Sequence, residues 1–71
     1  MAKNIVSSMA GTVWKIETKV GEEFDIGDVV VILESMKMEI AIEADDSGTV
    51  SEILISENDT VDAGTPLLSY T

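Results

Sequence analysis

The sequence predicts an all-β protein, a flattened antiparallel β-barrel or sandwich of two quasi-symmetric four-stranded sheets. Three observations support this prediction. The 71 residues contain an internal repeat at an offset of 37 positions, the apolar residues alternate in short runs, and no segment keeps the 3.6-residue period of a helix. A chain of this length makes one small domain, residues 1–71, which needs short turns to bury a core.

The repeat relates most of the first half of the chain to the second half. Each half predicts about four short strands that cannot bury their apolar face alone, so we expect two units packed about a pseudo-twofold axis. The matched residues are Gly11-Thr12-Val13 with Gly48-Thr49-Val50, Ile16 with Ile53, Phe24 with Val61, Asp25 with Asp62, Gly27 with Gly64 and Val30-Val31 with Leu67-Leu68.

The first strand of each unit begins at the repeated Gly-Thr-Val. Its inward positions are three residues apart at one point, which breaks the alternation of a regular strand. Because the break recurs at the same place in both halves, it predicts a β-bulge in each strand. The inward residues are Val13, Ile16 and Thr18 in the first half and Val50, Ile53 and Ile55 in the second.

Two turns follow each of these strands. Gly21 and Asn58 occupy matched positions in the first turn, and both residue types tolerate a left-handed backbone. A short apolar segment comes next, at Phe24 and Ile26 in the first half and at Val61 in the second. A repeated glycine then turns the chain into the last strand of the unit.

The middle of the chain predicts a hairpin between two apolar runs. If Met36-Lys37 form a two-residue turn, all the large apolar residues share one face. An odd loop centred on Lys37 would instead set Val31 opposite Glu43 and waste that face, so we prefer the first register. The preferred register pairs Ser35 with Met38, Leu33 with Ile40 and Val31 with Ile42.

This register has two unfavourable local features. Met-Lys is a poor choice for a two-residue turn, which favours Asn-Gly or another pair that tolerates φ > 0. The register also sets Glu34 opposite Glu39, and like charges across a strand pair are destabilising. Because such violations collect at functional positions, the tip of this hairpin is the candidate site, with Lys37 aimed into solvent.

The segment Glu34-Ser35-Met36-Lys37-Met38-Glu39 resembles the attachment motif of the biotinyl domain family, Ala/Ser-Met-Lys-Met. The resemblance covers essentially the whole chain, and it implies biotin joined through an amide to Lys37. Lipoyl domains carry lipoate on a lysine of the same turn, usually with other flanking residues, so lipoate on Lys37 is the alternative.

The resemblance implies a carrier and not an enzyme. Biotin on Lys37 would accept carboxylate at a biotin carboxylase site and deliver it at a carboxyltransferase site. The sequence shows no group that would activate the lysine amine, so we expect an external biotin protein ligase to supply an activated acyl group. We expect Met36 to touch enzymes, Met38 to be part core and part recognition, and Glu34, Ser35 and Glu39 to complete the recognition motif.

The repeat also locates the lysine within the molecule. Position 37 in one half corresponds to the chain ends in the other, so a twofold axis should put Lys37 and the termini at opposite ends. Met9-Ala10-Gly11 resembles the Ala-Pro-Met-Pro-Gly stretch of biotinyl domains, without its prolines. The connection from Val20 to Asp28 is too short for the protruding loop of some bacterial carriers. We therefore expect a freestanding minimal carrier or the C-terminal domain of a larger carboxylase.

Composition excludes several other functions. The chain has no cysteine and no histidine, which removes thiolate metal sites, catalytic triads and histidine general bases. Its net charge of −10 disfavours nucleic acid and anionic membranes as partners. No signal peptide or membrane span is visible, so we expect a cytoplasmic protein. We also expect it to be monomeric when isolated. A β-module that only binds partners, without modification, remains a third hypothesis.

Overall fold

The computed structural model describes residues 3–71, and its eight β-strands confirm the all-β prediction. No helix is found between residues 3 and 71, and therefore none there that is long and apolar enough to cross a membrane. The strands are β1 (Lys3–Val6), β2 (Gly11–Ile16), β3 (Glu23–Phe24), β4 (Val29–Ser35), β5 (Met38–Glu43), β6 (Gly48–Ile53), β7 (Thr60–Val61) and β8 (Pro66–Tyr70).

The strands form two four-stranded antiparallel sheets that the repeat relates to each other. One sheet has the order β1-β8-β6-β3 and the other β5-β4-β2-β7. Adding four to each strand number, and counting on from β8 to β1, converts the first order into the second. The two sheets are therefore equivalent, which confirms the quasi-symmetry. Each sheet takes two strands from each half of the sequence, so the halves interleave and neither sheet belongs to one half.

Backbone hydrogen bonds repeat along with the strands. Gly21 N–H donates to the Val50 carbonyl at 2.8 Å, and the matched Asn58 N–H donates to the Val13 carbonyl at 2.7 Å. Gly21 has φ 90° and Asn58 has φ 77°, so both adopt the left-handed backbone that the sequence predicts. These reciprocal bonds join each half to the other.

Both predicted β-bulges are present. The register of β2 against β4 shifts between Val13 and Lys15, and that of β6 against β8 shifts between Val50 and Glu52. The additional residue is Trp14 in one strand and Ser51 in the other. Each bulge lets the strand return its next apolar residue to the inner face.

The core lies between the two sheets and contains most of the predicted inward residues. Ile26 of the short apolar segment lies outside the core, since its side chain is 71% exposed. Asp28 N–H donates to the Asp25 carbonyl at 3.0 Å, which makes Ile26 a corner residue of a tight turn ahead of Gly27. The buried apolar residues are Ile5, Val13, Phe24, Val30, Val31, Leu33, Ile42, Ala44, Val50, Val61, Leu67, Leu68 and Tyr70.

The hairpin and the described chain ends lie at opposite ends of the molecule, as the repeat predicts. Strand β5 runs about 17 Å away from the turn at about 3.4 Å per residue. Just beyond it, Asp46 Oδ2 accepts a hydrogen bond from the Tyr70 hydroxyl at 3.1 Å and lies 3.4 Å from Lys3 Nζ. Hydrogen bonds from Ser47 N–H and Tyr70, together with Lys3, hold the pKa of Asp46 below its usual value. Lys3 and the C-terminal strand are therefore joined at the end away from Lys37.

Candidate functional site

The hairpin of β4 and β5 has the two-residue turn that the apolar pattern predicts. Ser35 pairs with Met38, and the ladder continues with Leu33 opposite Ile40. Met36 has φ 53° and Lys37 has φ 65°, so both turn residues adopt a left-handed backbone. This geometry matches the twist of the strands, but side chains with a β-carbon pay a steric cost in it.

Like charges face each other directly below the turn. Glu34 of β4 pairs with Glu39 of β5, and both side chains are exposed. Two carboxylates in this position repel each other across the strand pair, although solvent screens the effect. The hairpin tip thus presents one lysine above two acidic residues.

Both methionines beside the lysine are exposed, which corrects one prediction. The Met36 side chain is 92% exposed and that of Met38 is 64% exposed. The expected core role of Met38 is wrong, because burial falls along β5 towards the turn. Ile42 is buried and Ile40 only half-buried, so the hairpin extends beyond the core at Met38. Both thioethers are available to a partner surface.

The part of the hairpin directly below the turn is held by a close backbone approach at Gly11. A β-carbon added to Gly11 would lie 3.0 Å from the Glu34 carbonyl oxygen, so the position favours glycine. Thr12 pairs with Glu34 in the next rung of the sheet. Upstream, the buried Ser7 Oγ donates to the Met9 carbonyl at 2.6 Å and fixes the segment that leads into β2. Sequence reasoning did not assign a structural role to Ser7.

The geometry of the tip suits covalent attachment of a group that extends into solvent. Lys37 is exposed at the apex, so its amine is accessible to an enzyme. Two surface hollows of about 410 and 290 Å³ lie elsewhere on the domain, and no residue from 34 to 39 lines either of them. A group attached to Lys37 would therefore form an arm rather than fill a pocket of the domain.

The strained turn leads to a testable prediction about stability. Replacing Met36-Lys37 by Asn-Gly, through Met36→Asn with Lys37→Gly, should raise the free energy of unfolding by about 1 kcal/mol, because these residues suit a turn with two left-handed positions. Urea denaturation measures the change. The matched control is Ile26→Asn, at an exposed turn position without positive φ, which should give no such gain. Equal or lower stability of the Asn-Gly variant would show that the turn is unstrained.

A comparison of the sequence with protein-family profiles identifies a family. A family profile described as "Biotin-requiring enzyme", of the biotin/lipoyl family, matches residues 3–69. The match covers nearly the whole chain. The chain belongs to the biotin/lipoyl family.

Relatives of this biotin/lipoyl chain include small proteins of similar length. It is 52% identical over 60 residues to a biotin/lipoyl attachment protein of Bacillus subtilis (strain 168), which covers 84% of this chain and 82% of that protein. It is 38% identical over 64 residues to the biotinylated protein TB7.3 homolog of Mycobacterium leprae (strain TN), covering 90% of each. A biotin carboxyl carrier protein of Streptococcus mutans serotype c is 40% identical over 68 residues, 96% of this chain and 52% of that protein.

Solved structures of multidomain carboxylases contain the same fold. A single-chain, multi-domain long-chain acyl-CoA carboxylase matches with a TM-score of 0.91 at 30% identity, over 99% of this chain and 7% of that one. The urea carboxylase of Kluyveromyces lactis matches with a TM-score of 0.90 at 35% identity, over 100% of this chain and 6% of that one. The biotin/lipoyl chain thus corresponds to a small part of each of these enzymes.

Proposed function

We propose that this chain is a biotin carrier, with biotin attached to Lys37, that serves a biotin-dependent carboxylase. The observation that carries the proposal is an exposed lysine at the apex of a strained two-residue turn. An exposed methionine flanks this lysine on each side. Membership of the biotin/lipoyl family and the carboxylases among its relatives support biotin as the attached group. Met36, Met38, Glu34, Ser35 and Glu39 form the recognition surface around the lysine.

The chemistry required of this chain is formation of one amide bond. Lys37 Nζ attacks the carbonyl carbon of an activated biotinyl group, the activating group leaves, and the amine loses its proton to solvent. A biotin protein ligase supplies the activated group, since an amine does not form an amide with a free carboxylate unless the acyl group is first activated. Bound biotin supplies an acceptor for the carboxyl group that is carried between enzymes. The protein holds the arm away from the core and exposes it on all sides.

We infer that the chain is a carrier and not itself a catalyst, which the biotin carboxyl carrier proteins among its relatives support. Its partners are the biotin carboxylase and carboxyltransferase parts of a carboxylase, in addition to the ligase. We infer that the isolated domain is monomeric, because a net charge of −10 on 71 residues opposes self-association. We propose that it acts in the cytoplasm.

A lipoyl carrier is the second candidate function. The name of the Bacillus subtilis relative, a biotin/lipoyl attachment protein, is the specific observation in its favour. Lipoate on Lys37 would serve acyl or aminomethyl transfer in place of carboxyl transfer. The Met-Lys-Met sequence favours biotin.

Intact-mass spectrometry tests the proposal. The apo domain is incubated with ATP and a biotin ligase plus biotin, or with a lipoate ligase plus lipoate, and peptide mapping locates the adduct. We expect one biotin per chain, on Lys37, at a higher rate than lipoate is attached. Faster attachment of lipoate would favour the lipoyl function. A chain that receives neither group would be a module that only binds partners.

Attachment should also change the charge of the folded domain. An amide at Lys37 removes one of four positive charges against fourteen negative ones, so the net charge moves from −10 to −11. The modified form should migrate faster towards the anode in a native gel. The control is the Lys37→Arg variant treated in the same way, whose mobility should not change. Equal mobility of apo and modified forms, verified by mass, would contradict a charged Lys37 in the apo protein.

A further inference from the structure

The internal repeat provides a comparison within the molecule. Because the two sheets have equivalent strands and bulges, residues at matched positions on their outer faces experience nearly the same backbone. The fold therefore does not account for a large difference in residue type at such a pair. Differences of this kind point to a surface that one sheet uses and the other does not.

The outer face of the sheet that carries Lys37 has an apolar patch. Trp14 is 48% exposed at the bulge of β2, beside Lys15, which pairs with Ile32 of β4. Ile32 in turn pairs with Ala41 of the edge strand β5. Trp14 and Ile32 are outside the buried core and are not among the apolar side chains that pack against it. We call Trp14, Ile32 and Ala41 the outer patch.

The matched positions on the other sheet are all polar. An offset of 37 residues converts Trp14 into Ser51, Ile32 into Ser69, and Ala41 into Asn4. Asn4 pairs with Ser69, as Ala41 pairs with Ile32, and the Ser69 hydroxyl donates to Asn4 Oδ1 at 2.9 Å. Polar residues at these three positions are thus compatible with this backbone. The outer patch is a property of the lysine-bearing sheet alone.

Carboxylates flank the outer patch, two between the patch and the turn and one on the far side. Glu34 lies two residues along β4 from Ile32, while Glu39 and Glu43 flank Ala41 on β5, and all three are exposed. Lys15 is a cation beside the patch, paired with Ile32. An apolar centre with an acidic rim complements a protein surface that has an apolar centre and a basic rim. A second copy of this acidic chain does not offer such a surface.

The outer patch is close enough to the lysine for one partner to cover both. Ile32 is three residues from Ser35, the last residue before the turn, which is about 10 Å along the strand. A protein interface of ordinary size covers about 800 Å² on each partner and extends well beyond this distance. A protein that holds the hairpin tip from the outer side of this sheet would therefore also contact Trp14 and Ile32.

We propose that the outer patch is a docking surface for the ligase that modifies Lys37, an inference that rests on the proposed function. The ligase acts on Nζ itself, so its active site must come within the length of one lysine side chain of the hairpin. Enzymes that act on the attached ring work at the far end of the arm. That arm is the lysine side chain extended by the side chain of biotin, so these enzymes can stay farther from the hairpin. The ligase is thus the partner that must contact the domain next to the turn. Trp14 serves as its apolar anchor.

Ligase kinetics with the apo domain as the varied substrate test this proposal. Trp14→Ser with Ile32→Ser introduces the residues of the matched positions, and we expect KM for the domain to rise at least tenfold with kcat changed less than twofold. Loss of docking energy without a change at Nζ gives this pattern. NMR spectra first establish that each variant is folded. We expect both to fold, since both residues are partly exposed and the other sheet has serine at the matched positions.

The chain offers composition-matched controls. Trp14→Ser with Ser51→Trp moves the tryptophan to the other sheet and should raise KM as much as Trp14→Ser alone. Ser51→Trp alone should leave KM unchanged. Ile26→Ala, which introduces the residue of its own matched position at a highly exposed site, should also have no effect.

The outcomes separate this inference from the proposed function. If the parent domain receives no biotin, the proposed function fails. If the parent is modified normally and the serine variants keep its KM, only the docking surface is wrong. Normal modification followed by slow carboxylation of the attached biotin would overturn the inference in favour of the carboxylase. A parent dimer that dissociates on Trp14→Ser, seen by analytical ultracentrifugation, would overturn it in favour of self-association.

Discussion

The Lys37→Arg variant should fold normally and receive no biotin. A guanidinium stays protonated in proteins and offers no free electron pair for attack on an acyl carbon, although it keeps the positive charge. Lys37 is exposed at the turn, so the substitution should change the free energy of unfolding by less than about 0.5 kcal/mol. Intact mass and streptavidin binding after incubation with ligase, biotin and ATP measure the loss, which we expect to be complete.

The other three lysines provide the controls for this variant. Lys3 and Lys15 lie on strands β1 and β2, and Lys19 lies in a connection, so none of them stands at the apex of a hairpin. Lys3→Arg, Lys15→Arg and Lys19→Arg should each be modified to completion. Binding of the Lys37→Arg variant to streptavidin would reassign the site.

The hairpin was predictable because its register and its turn length both depend on residues that are close together in the sequence. Ile40 and Ile42 alternate with Ala41 and Glu43 in β5, and this alternation favours the register that sets Leu33 opposite Ile40, as observed. The turn then has only Met36 and Lys37 left to contain. The left-handed backbone of both follows from the twist of the flanking strands rather than from the residues themselves.

Other features depend on the tertiary arrangement and did not follow from the alternation. Met38 continues the inward alternation of Ile40 and Ile42, but the alternation does not show that the hairpin projects beyond the core there. Ile26 is apolar within a β-rich segment, yet a turn closed by a single backbone hydrogen bond points it outward. The interleaving of the halves was not predictable either. The same pattern of apolar residues is compatible with strands that pair within one half of the chain and with strands that pair between the halves.

Exchanging Lys37 with Met38, through Lys37→Met with Met38→Lys, should slow biotin attachment by roughly 10²-fold, because a shift of about 1 Å at a reacting group can already cost this much. The exchange keeps composition and net charge. It moves the amine off the apex and onto a strand position whose side chain lies on the same face of β5 as that of Ile40. Position 38 is largely exposed, so burial of the amine does not contribute, and stability should change by less than about 0.5 kcal/mol.

The companion exchange, Met36→Lys with Lys37→Met, keeps the lysine within the turn and should slow attachment much less. Both turn positions are left-handed and exposed, so the amine stays at the tip, although it points in another direction. The initial rate of biotin incorporation by one ligase is compared for the parent and the two exchange variants, each shown by NMR to be folded. If the variant with its lysine at position 38 is modified as fast as the parent, the rate of attachment does not depend on the position of the amine on the hairpin. The geometric account of the site would then be wrong, since the three proteins differ only in where the amine leaves the same backbone.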